Sequence, residues 1–200
     1  MKVHLGQCRV RVTVPFLALL AFLLLADQSG AALCGVFAAA LHECGHLLAM
    51  FLERRPVRAV CLTVLGAEIR SESAANTYWK DALVFLAGPA VNLCVFLLLS
   101  AASPSAPFIL RLFAAANGLL GAFNLLPVEP LDGGQALFCA LQGKFSRAKS
   151  FAIVQVFSFL TVAPLMAAGL LMLFRSRWNF TLLLAAVYLF SLLVLKPDRA

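Results

Sequence analysis

The sequence predicts an all-α polytopic membrane protein of about six transmembrane helices, and three observations predict it. The chain is 62% hydrophobic and 12% charged, with a mean hydropathy of +0.95, a balance no soluble globule has. Its apolar residues are gathered into blocks at 12–26, 31–52, 81–101, 108–126, 151–174 and 179–195, each close to what a bilayer crossing needs. The formal charge of +7 comes from 16 Lys and Arg that sit mainly in the joins between blocks. That distribution is a topology signal and not a nucleic-acid surface.

Taken in order, the chain opens on a basic tail with Lys2, Arg9 and Arg11, followed by the apolar run from Val12 to Ala26. A basic start and a short apolar core also describe a signal peptide; an uncleaved first span is the reading carried forward. Asp27-Gln28-Ser29-Gly30 is a tight turn into the second span. Between Glu53 and Lys80 the chain is polar at both ends, and Val57 to Arg70 is rich in β-branched residues around Leu65-Gly66. A short β-hairpin at the membrane surface near 57–70 is one reading, an amphipathic loop on the lipid face the other.

Tyr78 and Trp79 stand where aromatic residues anchor a span, and the third span follows from Asp81. Gly88-Pro89-Ala90-Val91-Asn92 lies inside it. Proline frees a backbone carbonyl and glycine admits a neighbouring helix, so protein must cover this stretch. Asn92 is a candidate for a hydrogen bond to a ligand or a substrate backbone, beside its packing role. An uncharged turn at Ser103 to Pro107 leads to the fourth span, where Asn117, Gly121 and Asn124 recur at helical spacing and should face the bundle. Pro127 and Pro130 then end the helix and keep the chain extended, and Gly133-Gly134 allows a sharp turn after Asp132. Lys144, Arg147 and Lys149 mark the next loop; the last two spans close the chain. In the fifth, Gln155, Ser158 and Thr161 read as interhelical hydrogen-bonding groups.

The second span carries the chemistry. In Ala40-Leu41-His42-Glu43-Cys44-Gly45-His46-Leu47 the two histidines are one helical turn apart, so both imidazoles lie on one face and can share a metal ion. Glu43, the next residue round, can reach a water at that metal without being a ligand. With 3 His in 200 residues, chance supplies this pattern in roughly one chain in a thousand. A glutamate and two histidines inside a membrane span also cost several kcal/mol unless something satisfies them. Cys44 points away round the helix, and the six cysteines, with no CxxC spacing, read as small apolar residues. Such a site lacks a third protein ligand. Asp132 is the leading candidate, and Glu129 is the other acidic residue nearby.

With both termini cytoplasmic, every Lys and Arg except Arg111, Arg175 and Arg177 falls on the inner side. His46 then lies about 10 Å from the inner end of its span, at about 1.5 Å per residue, and Gly88 and Asp132 fall at comparable depths. Three elements thus converge in the cytoplasmic half of the membrane.

His42-Glu43-x-x-His46, Gly88-Pro89-x-x-Asn92 and Asn124-x-x-Pro127-x-x-Pro130-Leu131-Asp132-Gly133-Gly134 together resemble the site-2 protease family of intramembrane zinc metalloproteases. The six-span plan looks most like the branch containing stage IV sporulation protein FB. The resemblance covers roughly 31–141, the catalytic core of a single membrane peptidase domain over 1–200. It implies one zinc ion held by His42, His46 and Asp132, Glu43 activating water, and Asn124 near the scissile peptide. It also implies a membrane-protein substrate cut by regulated intramembrane proteolysis, a strand edge near 57–70 for that substrate, and a multi-pass place in the cell membrane with room for a regulatory membrane partner. Many relatives carry a PDZ or CBS domain; the expectation here is neither. The competing class is a non-catalytic zinc-binding scaffold or an ion transporter. Glu43 argues against the first, and the lack of paired inverted segments against the second. A protease of prenylated C-termini would need a glutamate as third ligand, which only Glu129 could supply.

Overall fold

The computed structural model describes residues 2–5, 8–63, 66–71, 78–101, 106–176 and 180–195. Eleven elements follow one another: β1 (Lys2–Leu5), β2 (Cys8–Val12), α1 (Val14–Ala26), α2 (Ala31–Leu52), β3 (Val57–Thr63), β4 (Gly66–Ser71), α3 (Tyr78–Ala101), α4 (Phe108–Asn124), α5 (Asp132–Gln142), α6 (Arg147–Ser176) and α7 (Thr181–Leu195). Six of the helices match the six predicted spans. By length and composition α2, α3 and residues 147–175 of α6 are long and apolar enough to cross a membrane, and α1, α4 and α7 are shorter apolar helices. Their outward side chains include Leu25, Phe51, Leu119 and Phe174, each more than two-thirds exposed, as a lipid-facing surface requires and a water-facing one does not tolerate.

The chain divides into two compact units, Met1–Thr77 with Ala87–Ala122, and Tyr78–Leu86 with Phe123–Ala200. The first unit contains a four-stranded sheet in the order β1-β2-β3-β4. β1 and β2 pair antiparallel, β2 and β3 parallel with Arg9 opposite Ala59, and β3 and β4 antiparallel with Val60 opposite Ile69. The hairpin reading of 57–70 therefore holds for the strands, while Leu65 in its turn lies outside the described residues, as does Ser103 in the turn before α4. The two N-terminal strands correct the expectation of a plain basic tail. Cys8-Arg9-Val10-Arg11-Val12 alternates with period two, which suits a strand, and Thr13 extends the pairing through its N–H and its hydroxyl, both donating to Leu62 O at 3.1 and 3.0 Å. α1 then starts with Pro15 in its first turn, where a missing N–H costs nothing.

The turn between α1 and α2 is held by Asp27. Its Oδ1 accepts from Ser29 N–H at 2.9 Å and Ser29 Oγ at 2.6 Å, and its Oδ2 accepts from Ala32 N–H at 2.8 Å. These bonds lower the Asp27 pKa, the Ser29 hydroxyl contributing most. α2 ends in a paired-bond stop: Arg54 N–H reaches Phe51 O at 3.0 Å and Arg55 N–H reaches Met50 O at 2.9 Å, with Arg54 left-handed at φ 54. Ion pairing of Arg55 with Glu53 at 2.7 Å secures that corner before β3 begins.

In the second unit, Val128, Val162, Leu189 and Leu193 form a buried cluster joined by Phe123, Leu126, Leu131 and Met166. α6 and α7 cross closely at Gly169, where an added Cβ would come within 2.8 Å of the Leu183 backbone. A second cluster of Ala82, Ala136 and Cys139 with Phe85 seats α5 against the start of α3. α5 corrects the expected sharp turn after Asp132, since Gly133 and Gly134 lie in its first helical turn. Added Cβ atoms there would collide with the carbonyl oxygens of Leu125 and Val128. The glycines serve close approach rather than chain reversal.

Candidate metal centre

α2 presents its polar residues inward because Cys34, Ala38, His42, Gly45, His46 and Met50 form its buried stripe, the i, i+4 pattern of one helix face. His42 and His46 are 6% and 8% exposed. Their rings meet edge to face with centroids 4.8 Å apart, and the two Nε2 atoms stand 3.2 Å apart. Two nitrogens bound to one tetrahedral zinc at about 2.0–2.1 Å would be separated by about 3.3 Å. The pair is therefore already spaced to share that ion. Glu43 is half-buried beside them, and Cys44 is exposed, so the cysteine turns away from the pair as its helical position requires.

Space for the two rings comes from α3. Gly45 packs so closely that an added Cβ would sit 2.7 Å from Ala87 O, and a Cβ on Gly88 would strike His46 Nε2 and lie 2.9 Å from His42 Cε1. One turn on from Gly88, Asn92 is fully buried and its Oδ1 meets His42 Nδ1 at 2.7 Å. Its Nδ2 donates to Ala38 O at 3.0 Å and to Asn117 Oδ1 at 2.8 Å. α4 reaches this point through Ala114, Asn117 and Gly121, its buried face, as predicted for Asn117 and Gly121, whereas Asn124, the third residue of the predicted stripe, is half-buried. Asn92 thus spends its amide on protein groups. Asn117 is the functional neighbour whose role sequence reasoning missed; its helical spacing marked the face but not the partner.

The remaining predicted residues belong to the second unit. Asn124 is half-buried at the last position of α4, and Asp132 is half-buried at the first position of α5, where the helix N-terminus favours a carboxylate. The loop before Asp132 is pinned twice through Glu129: its N–H donates to Ser158 Oγ at 2.9 Å, and its carbonyl accepts from Gln135 Nε2 at 2.6 Å. Ser158, fully buried, donates in turn to Val154 O at 2.8 Å. Each unit thus contributes its own metal-ligating groups, the first the paired His42 and His46 imidazoles and the second the Asp132 carboxylate. Imidazole and carboxylate are donor types that suit zinc.

Residues 100–168 match the sequence profile of peptidase family M50. A Synechocystis protein that carries the name zinc metalloprotease by assignment is 36% identical over 102 residues, 48% of this chain and 27% of its own length. Stage IV sporulation protein FB of Bacillus subtilis is 34% identical over 130 residues, 62% of this chain and 45% of its own length. The matches thus span less than half of either relative. The solved site-2 protease of Methanocaldococcus jannaschii shares the fold, with a TM-score of 0.68 over 100% of this chain and 98% of that one, at 20% identity. The backbone is thus similar to that of a solved site-2 protease, and parts of the sequence are similar to peptidase family M50 and to stage IV sporulation protein FB.

Proposed function

We propose that this chain, as a member of the site-2 protease family, is an intramembrane zinc metalloendopeptidase that cuts a transmembrane or membrane-associated protein. The observation that carries the reading is the pair of buried imidazoles on α2, spaced for one ion with His42 anchored from behind by Asn92. In this reading His42, His46 and Asp132 hold the metal. When bound, zinc supplies Lewis-acid polarisation of the scissile carbonyl and makes water nucleophilic at neutral pH.

The chain's own groups do the rest. Glu43, adjacent to the pair, takes a proton from the attacking water and returns it to the leaving amine. Asn124 sits near the scissile peptide and offers its amide to the substrate backbone. Asn92 acts by orienting His42, because its amide is already engaged. An extended substrate segment adds to the outer edge of β4, which among the described residues pairs only with β3. Catalytic core residues 31–141 act within one membrane peptidase domain, and the lysine and arginine distribution supports a cytoplasmic side for both termini.

The test is cleavage of a membrane-embedded peptide by purified protein holding about one zinc per chain. Glu43→Gln should retain the metal and lose the cleavage. Cleavage that survives thorough chelation, or full activity in Glu43→Gln, overturns the protease reading in favour of a scaffold or transporter.

A further inference from the structure

We propose that Asn117 is a positioning residue for the metal centre: acting through Asn92, it holds His42 in the Nδ1–H tautomer, so that Nε2 presents its lone pair to the ion. The inference rests on His42 being a zinc ligand, as proposed above. It concerns a residue two hydrogen bonds away from the ligand imidazole, on the side of Nδ1.

The direction of every bond in this chain can be worked out from its ends. Phe113 O and Ala38 O are backbone carbonyls, which only accept. Asn117 lies 2.9 Å from Phe113 O through Nδ2, so its Nδ2 donates there and its Oδ1 is turned to Asn92. Asn92 Nδ2 has two hydrogens and two acceptors to receive them, Ala38 O at 3.0 Å and Asn117 Oδ1 at 2.8 Å. Its Oδ1 is consequently the atom facing His42 Nδ1 at 2.7 Å. An amide oxygen accepts and does not donate. His42 Nδ1 must therefore carry the proton, and Nε2, 3.2 Å from His46 Nε2, is left as the metal-facing atom.

Reversing the Asn92 amide would give His42 the other tautomer, with Nε2 protonated and closed to metal. That reversal would set Asn92 Oδ1 against both Ala38 O and Asn117 Oδ1, acceptor against acceptor. Asn92 and Asn117 are each 0% exposed, so no bulk water can absorb the mismatch. Ala38 O supplies half of this lock and the Asn117 side chain the other half. Gly121, one turn on from Asn117, keeps α4 close: a Cβ there would lie 3.1 Å from Pro89 O and 3.2 Å from Asn92 Cβ. Such second partners of a metal-bound histidine fix its tautomer and ring orientation, and their loss lowers metal affinity about 10–100-fold.

The experiment uses the full chain in detergent, metal-free, with ¹⁵N-labelled imidazoles, and reads the tautomer of His42 directly; zinc affinity is measured separately by competition with a chromophoric chelator. Wild type should show His42 protonated at Nδ1 alone. Asn117→Leu, close in size but without an acceptor, should show a mixture of tautomers and a loss of about tenfold or more in zinc affinity. Asn117→Ala, smaller and likewise without a side-chain acceptor, is the alternative if the leucine variant does not fold, and should move both readouts the same way. A folded variant in which His42 stays wholly Nδ1–H overturns the proposal, even if zinc affinity falls, because Asn117 would then only pack. A shifted tautomer in a protein that cleaves no substrate sustains the proposal and removes the protease reading instead.

Discussion

Gly88→Ala should damage zinc binding through the histidine rings while leaving both histidines in place. An ideal Cβ at Gly88 lies 2.7 Å from His46 Cε1 and 2.9 Å from His42 Cε1, whereas ordinary contact begins at 3.4 Å. The rings must therefore retreat by at least about 0.7 and about 0.5 Å, against a tolerance of about 0.2 Å for a metal–ligand distance. They cannot retreat freely, because Asn92 holds His42 at 2.7 Å from behind. Losing only a supporting contact of a zinc ligand costs about 10–100-fold in affinity, so displacing two rings should cost about 100-fold or more, or about 2.8 kcal/mol at about 1.4 kcal/mol per decade. The assay is chelator competition on purified protein, with Gly35→Ala as the control, since a Cβ at Gly35, on the histidines' own helix α2, meets nothing within 4 Å. A folded Gly88→Ala protein with wild-type zinc affinity would falsify the claim that this glycine makes room for the ligand rings.

Asp132→Ala should sharply reduce bound zinc and abolish cleavage, while Glu129→Ala should leave zinc near the wild-type amount; metal analysis at equal protein concentration decides, and the reverse pattern moves the third ligand to Glu129. Ser158→Ala removes the hydroxyl that accepts from Glu129 N–H and donates to Val154 O, so thermal or denaturant unfolding should report a loss of about 0.5–1.5 kcal/mol. Unchanged stability would mean that the loop before Asp132 is held by other means. The Asp27 turn should weaken only in acid. Its folded pKa is lowered, first by the Ser29 hydroxyl, so its contribution is fully present above the unfolded value of about 3.9 and is lost as pH falls through the lower folded value. A carboxyl NMR titration of Asp27 with its midpoint at or above the ordinary aspartate value is the result that would count against this.

The parts that were legible in the sequence are those written within a single element. His42 and His46 are four residues apart, and four residues on a helix is already a shared face. The apolar blocks announce six apolar helices, and the β-branched run at 57–63 admits a strand while leaving an amphipathic loop open. What was not legible depends on two elements at once. Asn92 could be marked as polar in an apolar helix, but that its oxygen faces His42 and its nitrogen faces Asn117 is decided by how α2, α3 and α4 meet. Gly133-Gly134 looked like a breaker, because glycine has low helix propensity. In place, the collision of any Cβ with the Leu125 and Val128 carbonyls outweighs that preference. Arg9-Val10-Arg11-Val12 carried its alternation openly, yet its charge made the topology reading more conspicuous than the strand reading.

The parallel pairing of β2 with β3 has a consequence for biogenesis. β2 leads directly into α1 and β3 follows the corner at the end of α2, so the ladder from Arg9 opposite Ala59 to Val12 opposite Leu62 can close only when the two helices run out and back as a pair. Should α1 fail to insert, β2 would be stranded across the bilayer from its partner and β3 would keep an open edge, ready to join a strand of another chain. This pairing bridges about fifty residues of sequence and is slow by its nature. Closure of this ladder therefore follows the placing of both helices and cannot precede it.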